Sequence, residues 1–95
     1  MIKIHELLSQ TARLTVEYQS HTIEVEYYPN RVTPEFLSSN PGAEEQIIHL
    51  VKWWSIEEDD GTVDVRKTVY QLPVQLLTLI LEKLIGEMSL RDRKN

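Results

Sequence analysis

The chain has 95 residues, fifteen acidic and ten basic side chains, a net charge near −5 and 41% apolar residues. That length holds one domain with a single modest core, and the ordinary composition argues against wholesale disorder. Lack of cysteine excludes a disulfide scaffold, a thiol nucleophile and any thiolate metal site, while an acidic chain without a basic face argues against duplex binding.

No apolar stretch approaches the ~18 residues of a membrane span. "MIKIHELLSQ" lacks the longer apolar run and small-residue cleavage site of a secretory signal. A soluble intracellular protein is therefore expected. Residues 2 to 10 place Ile4, Leu7 and Leu8 at helical spacing and predict a short helix, although Ile2 and Ile4 also fit the start of a strand.

The next segment alternates. Leu14, Val16 and Tyr18 lie on one side, with Arg13, Thr15 and Glu17 on the other. Ile23, Val25 and Tyr27 repeat the pattern against Thr22, Glu24 and Glu26. Period-two patterning with β-branched and aromatic residues predicts two half-buried strands. The short "QSH" between them predicts a hairpin over about residues 13–28. Its outer face would gather Glu17, Glu24 and Glu26, whose like charges need cations or water between them.

Thr33 followed by Pro34 is an N-cap and first-turn pair, so a short helix is expected over about 34–39. "SSNPG" breaks it, and Asn40-Pro41 repeats the start signal ahead of Glu44 and Glu45, acids suited to a first turn. Ala43, Ile47, Leu50, Val51 and Trp54 then follow three-and-four spacing, which predicts a helix over about 43–55. Trp54 falls inside that stripe and reads as core; Trp53 falls at its edge, open to either role.

Seven carboxylates lie between Glu44 and Asp64 against one lysine, Lys52. The run "EEDDGT" ends in the turn signal Asp60-Gly61, and it lacks the spacing of a calcium loop, so a solvated turn is expected. "TVDVRKTVY" alternates weakly and suggests a short strand. Thr68 with Gln71 has capping-box spacing for a helical turn before Pro73. Residues 73 to 89 read as a leucine-rich helix with the seam Val74, Leu77, Leu81, Leu84 and Met88, widened by Leu76, Ile80 and Ile85. Leu79 lies outside this arc and is the expected exposed apolar position. An arc of half the circumference is wider than one small core needs. It is either packed on both sides or left in part for a partner. A polar tail at 91–95 completes an expected α+β arrangement.

Chemistry-bearing patterns are sparse. His5, His21 and His49 lack metal-ligand spacing, and His49 reads as a surface residue. There is no nucleophile elbow, Walker loop or dinucleotide fingerprint. Glu24 and Glu26 sit on an open strand face with no apolar wall to tune them. The residues thus point away from an enzyme and toward no cofactor or metal.

One arrangement resembles a known family. Trp54 is followed by the acidic turn Glu58-Asp59-Asp60-Gly61, then Thr68, Leu72-Pro73, and Leu76, Leu77 and Ile80 of the last helix. Upstream, a strand pair leads to the helix start Thr33-Pro34. This order is similar to that of tail assembly chaperones of long-tailed, siphovirus-like bacteriophages. The resemblance implies a non-enzymatic, virus-encoded protein of the host cell cytoplasm that is not part of the finished virion. It would bind the tape measure protein and help recruit tail tube protein. Members commonly occur in a short and a frameshifted longer form, and this chain would be the short one. The implied partner-binding residues are Trp53, Leu76, Leu79, Ile80 and Leu84, with a homo-oligomer expected. A small homodimeric adaptor that uses the C-terminal helix as its own interface is the competing reading. An acidic nucleic-acid mimic presenting Glu57 to Asp64 is a third, for which a turn is a poor support.

Overall fold

A computed structural model describes the backbone of residues 1–93 and the side chains of residues 1–88. The fold is α+β: a three-stranded antiparallel sheet in the order β1-β2-β3 with helices around it. Strand β1 (Ala12–Tyr18) pairs with β2 (His21–Tyr27) in full register from Ala12↔Tyr27 to Tyr18↔His21. Gln19 and Ser20, both at positive φ (48° and 70°), make the two-residue turn whose twist matches the strands. The hairpin stands where alternation places it. Leu14, Val16, Ile23, Val25 and Tyr27 point into the core, while Arg13, Thr15, Glu17, Thr22 and Glu24 are exposed.

Before the sheet lies α1 (Ile4–Leu8), which buries none of its residues. After it, α2 (Pro34–Ser38) starts as expected, with Thr33 Oγ1 accepting the Phe36 N–H at 3.1 Å. Asn40 does not start the next helix; at φ 52° it follows the end of α2. Gly42 is instead the N-cap of α3 (Ala43–Leu50), which ends five residues earlier than the periodicity predicts. Val51–Trp54 is strand β3, paired with β2.

A bulge explains this correction. Tyr27 pairs with Val51 and Glu26 with Trp53, so Lys52 is an extra residue on the β3 side. Without it, Val51 and Trp54 would face opposite sides of the sheet; with it, both face the core, at 4% and 0% exposure. The three-residue spacing that reads as helical is the spacing of a bulged strand.

The expected strand in "TVDVRKTVY" is also corrected. Asp64 Oδ1 accepts the Lys67 N–H at 3.3 Å and caps a helical turn, α4 (Val65–Thr68). The last helix, α5 (Val74–Arg93), outruns the expected end at residue 89, so residues 91–93 of the expected tail are helical and residues 94–95 lie outside the described residues. It packs against β1 and α3, closing one face of the sheet. Among the described residues, no helix is long and apolar enough to cross a membrane.

Candidate functional site

Of the residues implied as partner-binding, Leu76, Leu79, Ile80 and Leu84 share α5, and Trp53 lies apart from them on β3. Leu76, Ile80 and Leu84 are core residues, 5%, 0% and 0% exposed. Most of the helix arc that exceeded the needs of a small core faces the sheet and α3. Leu79 is half-buried and packs against the same core, so it is not the exposed position expected. Val74 and Ile85, both assigned to the apolar arc, are the open ones. The true inward line is Leu76, Leu77, Ile80 and Leu84, rotated from the expected seam, which leaves Leu81 and Met88 half-buried.

Trp53 lies on the opposite side of the sheet from these leucines. It sits opposite Glu26, which sits opposite Arg13, forming one row across three strands. The Arg13 guanidinium carbon is 5.5 Å from the Trp53 ring centroid. Its two terminal nitrogens lie 3.8 Å from Glu24 and 3.7 Å from Glu26. One cation thus offsets two of the three glutamates on that face, and Glu17 accepts from the Thr22 hydroxyl at 2.9 Å. Trp53 is held by its own sheet.

The acidic turn closes on itself. Gly61 N–H donates to the Glu58 carbonyl and Glu58 N–H to the Thr62 carbonyl, both at 2.8 Å. Gly61 adopts φ 86°, which favours glycine. Asp60 Oδ1 accepts the Thr62 N–H at 2.9 Å. Hydrogen bonding from the Thr62 side chain, and then from its backbone N–H, holds the Asp60 carboxyl below the usual range. No group of three or more potential metal ligands occurs among the described residues.

The exposed apolar surface lies elsewhere. A groove of about 580 Å³ runs between α1, the segment after β2, α2 and the later part of α5. Leu7, Val32, Leu37 and Ile85 line it with their side chains open, Leu37 at 60% and Ile85 at 50% exposure. Leu50, part of the core, also lines it. Its α1 wall is tied down by polar contacts. Asn30 Nδ2 donates to the Leu7 carbonyl at 3.0 Å, and Arg31 Nε to the Leu8 carbonyl at 2.8 Å. The Arg31 guanidinium carbon stands 3.5 Å from the Tyr28 ring centroid, and its carbonyl accepts from His49 Nε2 at 2.8 Å. That bond fixes a proton on Nε2. The imidazole stacks on Phe36 at 3.9 Å and 12°. His49 is therefore a half-buried strut, not the free surface residue expected. A neighbouring open cleft of about 840 Å³ is lined by His5, Arg31, Glu35, Phe36 and His49.

Sequence reasoning missed this groove because, apart from Ile85 and Met88 of α5, most of its walls come from short elements and loops without measurable periodicity. One signal was available: a five-residue helix such as α2 is too short to bury a full face, so Leu37 had few places to hide. A scan against protein-family models and searches of curated proteins and of solved structures give no match.

Proposed function

We propose that this chain is a tail assembly chaperone of a long-tailed bacteriophage, a non-enzymatic protein that holds apolar helical segments of a tape measure protein. It would act in the host cytoplasm, assist the recruitment of tail tube protein, and leave the finished tail. The observation that carries the reading is the groove in which Leu7, Val32, Leu37 and Ile85 stand open beside the polar residues Asn30 and Gln46. Several large apolar side chains left open around one groove make it a candidate contact site. A groove walled by helices suits an amphipathic helix whose spaced apolar anchors supply affinity. The net charge near −5 keeps such a surface soluble and steers basic segments toward it. The client's need is physical too, because long apolar helix faces aggregate unless they are covered as they emerge. The family itself rests on the resemblance in the order of motifs.

Co-expression with the tape measure protein tests this. The chaperone should keep that protein soluble and be recovered in complex with it. Leu37→Glu and Ile85→Glu, at exposed positions where the fold tolerates charge, should abolish the effect. Neutralising Glu57 to Asp60 should weaken it modestly and mainly at low salt. A client equally insoluble with and without this protein contradicts the proposal.

A further inference from the structure

The sheet has two outer strands, and they are protected unequally. Strand β3 is four residues long, bulged at its second residue, and packed by α4. Short length, a bulge and a covering element are the usual defences of a sheet edge. Strand β1 is neither short nor bulged, although α5 packs against it on one face of the sheet. It is seven residues long, contains no proline, and pairs with β2 without a register shift.

The direction of its free backbone groups follows from β2. Glu24 donates its N–H to Ser55 Oγ at 2.8 Å and accepts the Ser55 N–H on its carbonyl at 2.9 Å. Both polar groups of Glu24 thus point toward β3. Thr15 is opposite Glu24, and in an antiparallel ladder the two members of such a pair point their polar groups apart. The N–H and C=O of Thr15 therefore point to the open side, as do those of Arg13 and Glu17 by the two-residue period. No hydrogen bond from another described residue reaches them.

We infer that β1 is the contact between two copies of this chain, paired antiparallel about a two-fold axis through Thr15. The sequence "ARLTVEY" is self-complementary in that register. Arg13 falls opposite Glu17 of the second copy, Leu14 opposite Val16, and Thr15 opposite Thr15. Because the residues with outward backbone groups are the ones that meet, all three pairs formed by positions 13, 15 and 17 are hydrogen-bonded pairs. Opposite charges directly across a ladder stabilise it. The outer-face row then runs Trp53, Glu26, Arg13, and on into Glu17 and Thr22 of the second copy, with charge alternating along it. Glu17, which has no cation partner among the described residues of the single chain, gains one. Moving the two-fold to Leu14 or Val16 puts Arg13 or Glu17 opposite Thr15 and forfeits both ion pairs. The product is a continuous six-stranded sheet. Its formation involves no groove residue, so it stands or falls separately from client binding.

Sedimentation velocity across a wide concentration range, into the high micromolar, tests the inference together with two variants. Wild type should shift from monomer to dimer. Thr15→Pro removes only an outward N–H, a change that edge strands accept, and should stay monomeric with an unchanged circular dichroism spectrum. Since the chain has no cysteine, Thr15→Cys supplies a single thiol. A hydrogen-bonded antiparallel pair sets its Cα atoms about 5.5 Å apart, within disulfide reach. Thr15→Cys should therefore cross-link quantitatively on mild oxidation, while Thr22→Cys, one strand further in, should not. A wild type that is monomeric throughout overturns the inference. So does Thr15→Cys that cross-links no better than Thr22→Cys, and this second readout decides the matter even if Thr15→Pro fails to fold.

Discussion

Trp54 and Trp53 are neighbours in the chain with opposite surroundings. Trp54 is fully buried, at 0% exposure, beneath the sheet. Its indole N–H has no hydrogen-bond partner among the described residues, so its contribution is packed apolar area less the cost of desolvating that group. Trp54→Ala should lower stability by about 3–5 kcal/mol in denaturant melts. Trp53 is half-buried on the outer face under Arg13. Trp53→Ala should lose a cation–π contact of about 0.5–1 kcal/mol together with part of a ring's contact area. Equal losses for the two, or a stable Trp54→Ala, would contradict this placement. The burial of Trp54 was legible in the sequence because helix and bulged strand agree on it. The place of Trp53 was not, since only the ladder to β2 decides it.

Among the elements, those with an uninterrupted period were the readable ones. The β1-β2 hairpin repeats its alternation over seven residues on each strand, enough to fix both faces. The boundary between α3 and β3 was hidden because the bulge at Lys52 reproduces a helical interval. The α4 turn was hidden because two alternating valines outweighed the capping signal of Asp64. The acidic turn was legible from Asp60-Gly61 alone, and its stability carries a pH signature. The Asp60 carboxyl is depressed chiefly by its hydrogen bond from the Thr62 side chain. A depressed acid stabilises the fold fully above its unfolded value and loses that stabilisation as pH falls through the folded one. The Thr62 amide resonance should then titrate with a midpoint below the ordinary aspartate range. The turn should be intact at neutral pH and loosen only in stronger acid. A midpoint at or above the ordinary value would contradict the assigned bond.

At the scale of the whole molecule, length mismatch creates the candidate site. The described chain spans 44 × 24 × 24 Å. Helix α5, with 20 residues, extends about 30 Å, whereas a seven-residue strand spans roughly 23 Å. The sheet cannot cover the whole helix. Val74 near its start is left open, and Ile85 stands half exposed in a groove it shares with α1 and α2, whose own apolar residues Leu7 and Leu37 remain exposed. The apolar excess visible in the sequence is real, but it is displaced from Leu76, Ile80 and Leu84 to the groove beyond them.

Chemical-shift mapping on the isotope-labelled protein tests that displacement most directly. On titration with an amphipathic helical segment of the tape measure protein, the groove predicts shifts clustered at Leu7, Val32, Leu37 and Ile85, with Arg13 and Trp53 on the outer sheet face undisturbed. No shift at saturating peptide, or shifts confined to the outer sheet face, would contradict the groove as the place where this protein holds its partner.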